Sequence, residues 1–129
     1  MKKICIKVDC ESDIAEAARQ ARLKAVAIGF NTVQSYYIAT AASELAANLF
    51  IHGGGGVFEI SRLTEREGLE LMSTDQGPGI ADIDKALQEG YSTAGGLGCG
   101  LPGVNRLMDE LVIESKMGMG TVVKARKWI

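Results

Sequence analysis

Two glycine-rich stretches set the strongest limit on how this chain can fold. The sequence Asp-Gln-Gly-Pro-Gly occupies positions 75–79, and positions 95–103 hold five glycines just before a helical pattern. Neither a helix nor a strand runs well through glycine at that density, because glycine loses the most backbone freedom on folding. Both stretches are therefore expected to be loops. A carboxylate in one loop and a second loop that opens onto a helix favour nucleotide binding, since backbone N–H groups there can meet phosphates.

Length and charge limit the range of partners. A chain of 129 residues with 47% hydrophobic residues can build one core, so a single domain over residues 1–129 is expected. Fourteen basic and sixteen acidic residues leave a net charge of −2. This balance provides no extended positive field for nucleic acid or an anionic membrane. The sequence thus predicts neither a nucleic-acid partner nor a membrane partner.

The cysteines and the first residues indicate the compartment. Cys5, Cys10 and Cys99 are odd in number and lack the Cys-x-x-Cys spacing of a zinc or redox site. The opening residues alternate charged and aliphatic side chains and form no apolar run of the kind that secretion requires. We therefore expect a reducing, cytoplasmic location.

The first half of the chain predicts one strand and two helices. Residues 4–8 alternate between aliphatic and other side chains, as a half-buried strand does. The helix that follows is expected to have Ser12 as its N-cap and to end at Gly29, with acidic residues early and basic residues late. A longer helix is predicted over residues 32–51, and the glycines at 53–56 are expected to form a turn after it.

Four strands and two short helices are predicted after residue 56. The strands form two hairpins over residues 57–63, 69–74, 111–115 and 121–126. The helices cover residues 82–89 and 101–109. Asp75 then lies at the end of a strand, and Pro102 falls in a first helical turn, where its missing N–H costs nothing. The sheet is expected to be mixed and mostly antiparallel.

The longer helix carries an apolar stripe with a polar pair beside it. The apolar residues recur at spacings of four, three and four, which is typical of a helix packed on a sheet, and they are Ile38, Ala42, Leu45 and Leu49. Glu44 and Asn48 lie four apart on a neighbouring stripe, so their side chains point the same way, roughly 5–6 Å apart. Ala41 and Ala47 beside them are small enough to let a ligand approach the backbone. An exposed helical pair is the plainer alternative.

Together these pieces resemble the nucleotide-binding domain of the GHKL superfamily. Four motifs in order carry the likeness, and they cover residues 43–48, 75–79, 95–103 and 118–121. Within the superfamily, Ser92-Thr93 and residues 98–109 are most similar to the RsbT-type switch kinases, which phosphorylate STAS-domain proteins of the stressosome. The resemblance implies the Bergerat ATP-binding fold, an α/β (α+β) two-layer sandwich with helices packed on one face of the sheet.

The resemblance also implies an activity and assigns site residues. The expected enzyme is an ATP- and Mg²⁺-dependent protein serine/threonine kinase in which Glu44 is the general base and Asn48 contacts ATP and the metal. Adenine is expected at Asp75, whose carboxylate can accept from the exocyclic amine, with support from Gly77, Gly79 and Thr121. The phosphates are expected at Gly95, Gly96, Gly98, Gly100 and Leu101. The implied partners are STAS-domain substrates and a PP2C-type phosphatase that the released kinase activates.

Other interpretations stay open from the sequence. The motif at 75–79 could be an ordinary turn, because Asp, Gly and Pro favour turns for conformational reasons alone. Residues 98–103 spell Gly-x-Gly-x-x-Gly, but no strand precedes them, so a Rossmann site is rejected. His52 could contact phosphate or simply end the long helix. At the level of function, the alternatives are an anti-sigma factor that uses its kinase site to regulate release, and an adaptor that nucleotide merely stabilises.

Overall fold

The computed structural model describes residues 3–79 and 100–129. In chain order the elements are β1 (Ile4–Val8), α1 (Glu11–Ile28), α2 (Thr32–Ile51), β2 (Gly56–Leu63), β3 (Gly68–Asp75), α3 (Leu101–Leu107), β4 (Glu110–Ser115) and β5 (Thr121–Trp128). The predicted helix over 82–89 and the glycines at 95, 96 and 98 lie outside the described residues.

The strands form one five-stranded sheet in the order β1-β2-β3-β5-β4. Each of the four neighbouring pairs in the described chain is antiparallel, so the sheet contains no parallel pair there and is more uniform than the mixed sheet that the sequence predicts. Two of the pairs are the predicted hairpins. The β3–β5 pair is long-range and makes β3 the central strand.

The sheet buries one face against the helices, which confirms the predicted two-layer α+β architecture. Side chains on alternate positions of the strands are buried, among them Phe58 and Ile60 of β2 and Leu69 and Leu71 of β3. From α2, the predicted stripe closes this core, and its four residues are all 0–1% exposed: Ile38, Ala42, Leu45 and Leu49. Within the described ranges, none of the helices has the length and apolar content needed to cross a membrane.

The start of α1 differs from the prediction. Ser12 was expected to be the N-cap, but the helix begins at Glu11 and Cys10 is the N-cap. The Asp13 carboxylate explains this shift, because it accepts hydrogen bonds from the backbone N–H of Asp9 at 2.9 Å and of Cys10 at 3.1 Å. These bonds and the Cys10 thiol lower the pKa of Asp13. The other end is as predicted, since Gly29 ends the helix in the left-handed conformation.

The bounds of α2 are those that the sequence predicts. Asn31 caps the helix by accepting from the backbone N–H of Gln34 at 2.8 Å, and the Gln34 side chain accepts in return from the Asn31 N–H at 3.1 Å. At the other end, His52 is the C-cap and the first glycines of the 53–56 run follow it. This helix carries both Glu44 and Asn48, so its placement on the sheet decides where they lie.

Candidate functional site

Asp75 lies where the central strand ends. The register pairs it with Gly56 of β2 on one side and Thr121 of β5 on the other. Two neighbouring strands therefore fix its backbone position. The residue is half-buried, at the end of the sheet that also receives the last turn of α2.

Glycine backbone surrounds the Asp75 side chain. Its Oδ1 accepts a hydrogen bond from the Gly77 N–H at 2.8 Å. A Cβ added to Gly53 would lie 2.6 Å from the Asp75 Cβ and 3.0 Å from Oδ2, and one added to Gly77 would lie 3.1 Å from Oδ1. Side chains at these two positions would thus collide with Asp75 or with the backbone beside it. Glycine lets the backbone pack closely against the carboxylate.

The turn between β4 and β5 holds the other side of the 75–79 motif. Gly118 donates its backbone N–H to the Pro78 carbonyl at 2.8 Å. Gly120 has a φ of +81°, and a Cβ there would collide with the Asp75 carbonyl oxygen. Next to it, the Thr121 hydroxyl is 2.8 Å from the Ser115 hydroxyl, which also donates to the Gly120 carbonyl at 3.2 Å. Hence the second and the last of the four sequence motifs, at 75–79 and 118–121, meet in space.

The C-terminal turn of α2 connects the polar pair to Asp75. The carbonyl of Asn48 accepts from the backbone N–H groups of His52 and Gly53, both at 3.0 Å. Gly53 in turn lies against the Asp75 side chain. Glu44 and Asn48 are both half-buried on the same side of the helix, as predicted. They are therefore at the same end of the fold as the strand-end carboxylate.

Gly100 brings the start of α3 against Glu44. Its φ is +62°, and a Cβ there would overlap the Glu44 carboxylate oxygen Oε2. The next residue, Leu101, is 1% exposed, and Val104 one turn later is fully buried. The end of the second glycine stretch is thus anchored beside the predicted base by the packing of α3.

Most of the predicted site residues in the described chain lie within one connected group. The group joins Gly100 and Glu44 to Asn48, and through Gly53 to Asp75, Gly77 and Thr121. Gly79 lies one step farther out, where its backbone contacts the Lys116 carbonyl. The predicted phosphate contacts Gly95, Gly96 and Gly98 lie outside the described residues.

Two glycines beside Asp75 are not among the site residues that the sequence predicts. Gly53 is interpreted only as part of a turn, and Gly120 as part of a hairpin and of the motif at 118–121, without a contact of its own. The run of four glycines after α2 is a signal for close backbone approach, but its partner, Asp75, is 22 positions away and is brought there by the sheet.

The geometry suits a ligand with a polar edge and a charged tail. At one end, a half-buried carboxylate accepts one backbone N–H through Oδ1, and its second oxygen can accept from an amine donor. At the other end, the Glu44 carboxylate lies beside the glycine backbone that opens α3, and Asn48 follows one helical turn later. This arrangement is compatible with phosphoryl transfer, in which positioning and charge stabilisation supply most of the acceleration.

Comparison with known proteins defines the class. Residues 8–127 match the family described as "Histidine kinase-like ATPase domain", which is nearly the whole chain. The chain belongs to this family. The match confirms the superfamily and the ATP-binding fold that the four motifs imply.

Individual relatives indicate which activity the chain has within this family. The chain is 46% identical over 127 residues to "Serine/threonine-protein kinase RsbT" of Bacillus subtilis (strain 168), covering 97% of this chain and 96% of the relative. It is also 36% identical to "Anti-sigma F factor" of Thermoanaerobacter sp. (strain X514) and 37% identical to that of Geobacillus thermodenitrificans, each over 71% of this chain and 68% of the relative. These findings confirm that the chain is an enzyme of the serine/threonine-protein kinase class and that it uses ATP.

Proposed function

We propose that this kinase transfers the γ-phosphoryl group of ATP, with Mg²⁺, to a serine or threonine of STAS-domain proteins in a stress-signalling complex of the stressosome type. The observation that carries the proposal is the similarity to RsbT, which extends over nearly the full length of both chains. The sequence of residues 92–109 supports the same subfamily. The same role fits a cytoplasmic protein.

The adenine ring is proposed to bind at Asp75. One carboxylate oxygen already accepts the Gly77 N–H, so the other is available to accept from the exocyclic amine of the base. Gly53 and Gly77 let the backbone lie close to the carboxylate, and the same close approach to the ring is proposed for this glycine backbone. Thr121, held by the Ser115 hydroxyl across the strand end, supports the same edge, as does Gly79 in the turn.

The phosphates are proposed to bind along the second glycine stretch. In its described part, Gly100 and Leu101 supply backbone N–H groups at the start of α3. Asn48 lies one helical turn from Glu44 and is proposed to hold Mg²⁺ through its side-chain oxygen, together with the phosphates. The metal would neutralise charge on the phosphates. Gly95, Gly96 and Gly98 complete the proposed set.

Glu44 is proposed to act as the general base. Its carboxylate takes the proton of the acceptor hydroxyl as that oxygen bonds to the γ-phosphorus. The bond from the γ-phosphorus to the bridging oxygen breaks, and ADP leaves with that electron pair. The contact of the half-buried Glu44 carboxylate with Gly100 supports this role, because Gly100 is one of the proposed phosphate contacts.

Replacement of the base tests this assignment. Glu44→Gln keeps the size of the side chain but cannot take a proton, so transfer to a STAS-domain protein should fall by roughly 10²- to 10⁴-fold. ATP affinity, measured by calorimetry, should stay within about threefold of the wild type, since Asp75 is untouched. Transfer at the normal rate by this variant would show that the base is a different group.

The PP2C-type phosphatase is proposed as a second partner, on the strength of the subfamily resemblance. After its release from the STAS-domain complex, the kinase would bind the phosphatase and raise its activity. A phosphatase assay with and without the purified kinase tests this directly. Unchanged phosphatase turnover at saturating kinase would contradict the proposal.

The anti-sigma factor is the second candidate function. The two anti-sigma F factors at 36% and 37% identity favour it, because they show that this sequence family includes proteins of that name. Pull-down with purified sigma factors separates the candidates. Tight sigma binding would favour the anti-sigma role, whereas its absence together with STAS phosphorylation would favour the switch kinase.

A further inference from the structure

The outward face of α2 carries almost no charge. Glu44 is the one Asp, Glu, Lys or Arg among the 20 residues of this helix. The large side chains that α2 exposes before Glu44 are apolar or aromatic, with Val33 at 58%, Tyr36 at 56% and Tyr37 at 45%. A solvated helix face ordinarily carries charged residues, and a contiguous apolar patch usually marks an interaction site. This face therefore has the composition of a binding surface.

These residues lead to the proposed base. Val33, Tyr37, Thr40 and Glu44 follow one another at spacings of four, three and four, so they form one row along the helix. Val33, Tyr37 and Thr40 are exposed and Glu44 is half-buried. Eleven residues of helix correspond to about 16 Å. A protein interface of ordinary size, roughly 800 Å² on each partner, covers such a distance.

Basic side chains accompany the aromatic rings. The Arg22 guanidinium of α1 lies 5.5 Å from the centroid of the Tyr36 ring, and the Lys127 ammonium lies 5.6 Å from that of Tyr37. The sequence contains no Asp or Glu between Glu16 and Glu44. The Lys127 ammonium also donates to the Leu107 carbonyl at 2.8 Å and lies 4.0 Å from the Asp109 carboxylate, so its charge is partly balanced and Arg22 is the main basic group beside the rings. An apolar face with basic neighbours complements a partner surface that is apolar at its centre and acidic around it.

We propose that the outer face of α2, formed by Val33, Tyr36, Tyr37 and Thr40, docks the protein that receives the phosphoryl group. The inference rests on the proposed function, because the acceptor hydroxyl must reach Glu44 and its protein must cover the adjoining surface. The partner is a folded acceptor protein with an apolar patch and acidic residues around it. Its serine or threonine lies at the Glu44 end of the row.

Another exposed valine, on β4, has charged neighbours instead of apolar ones. Val112 of β4 is 49% exposed, but it lies between the exposed residues Glu110 and Glu114 and pairs across the sheet with Lys124. A single apolar residue among charges is ordinary surface. It provides a matched control for Val33.

The experiment compares Val33→Glu, Val33→Lys and Val112→Glu. An acidic residue in the first turn of a helix is favourable, so Val33→Glu should fold as well as the wild type, which thermal unfolding checks. The KM for the STAS-domain acceptor should rise about tenfold for Val33→Glu and no more than about threefold for Val33→Lys. At saturating acceptor, kcat should be retained in both, and acceptor affinity measured by surface plasmon resonance should follow KM. Val112→Glu should match the wild type.

Two results would overturn the docking proposal. The first is a KM for Val33→Glu within twofold of the wild type. The second is an equal rise in KM for Val33→Glu and Val33→Lys, which would show that the docked surface of the partner is not acidic. A wild-type kinase that phosphorylates no STAS-domain protein would instead contradict the proposed function, so the two failures are distinguishable.

Discussion

The Asp75 end and the Glu44 end of the site are held by different kinds of structure. Asp75 ends the central strand, where the register places it between Gly56 of β2 and Thr121 of β5. Glu44 stands on a single helix, and its carboxylate is confined by the backbone of Gly100 at the start of the seven-residue α3. One end is set by the register of a sheet and the other by the packing of two helices.

This difference indicates how the two ends respond to change. A sheet register moves only in steps of a residue, so the Asp75 end should tolerate side-chain substitution without losing its geometry. The Glu44 end depends on where one short helix begins. We therefore expect substitutions at the first end to change ATP affinity, and substitutions at the second end to change phosphoryl transfer.

The largest effect on affinity is expected from Asp75→Asn. The Asn side chain can still accept the Gly77 N–H through its oxygen, which preserves the turn. Its NH₂ group then stands where the exocyclic amine of adenine needs an acceptor. Loss of a charged hydrogen bond costs about 1.5–3 kcal/mol, so ATP affinity should fall by up to about a hundredfold. Calorimetry with ATP and Mg²⁺ measures it.

Asp109→Asn is the matched control for that variant. Asp109 likewise accepts a backbone N–H, that of Trp128 at 2.8 Å, but it follows α3 and is exposed. Its substitution should leave ATP affinity unchanged. If both variants bind ATP like the wild type, adenine is not recognised by the carboxylate at position 75.

The elements of the fold were largely predictable because their signals are local. The glycines after residue 52 mark the end of α2, and strand-like runs joined by turn residues predict the strands to within two residues. The start of α1 was mispredicted for a local reason too. Serine ranks above cysteine as an N-cap, but the Asp13 carboxylate reaches back to the backbone of Cys10 and starts the helix earlier.

The site was predictable only in part because the residues that surround Asp75 are distant from it in sequence. Glu44, Asn48 and Asp75 stand in motifs that can be found in the sequence. That Gly53 covers the Asp75 side chain and Gly120 its carbonyl follows from the β2–β3 and β3–β5 registers, which no short segment encodes. The contacts of these two glycines with Asp75 can therefore be recognised only in the folded chain.

Gly100→Ala tests the Glu44 end, with an expected effect on transfer of about tenfold to a hundredfold. The new Cβ would overlap the Glu44 carboxylate and displace it from the acceptor. Gly118→Ala is the control, because Gly118 has a φ of +77°, close to the +62° of Gly100, but no atom within 4 Å of an added Cβ. Both variants should lose stability from backbone strain. Equal transfer rates in the two, measured with saturating ATP, would mean that the Glu44 contact plays no part.

Gly53→Ala should have a smaller effect than Asp75→Asn and Gly100→Ala. It tests whether the end of the sheet at Asp75 is as rigid as its register indicates. Gly53 does not have a left-handed φ, so alanine fits its backbone, but the added Cβ would lie 2.6 Å from the Asp75 Cβ. If the strand holds Asp75 in place, the neighbouring turn must shift and ATP affinity should fall by about fivefold to tenfold.

Gly54→Ala is the control, because it strains the backbone without a contact: its φ is +72° and an added Cβ there would contact nothing. It should lower the melting temperature and leave ATP affinity unchanged, because strain without contact does not reach the carboxylate. A larger loss of affinity from Gly54→Ala than from Gly53→Ala would show that the turn after α2, and not the strand register, positions Asp75.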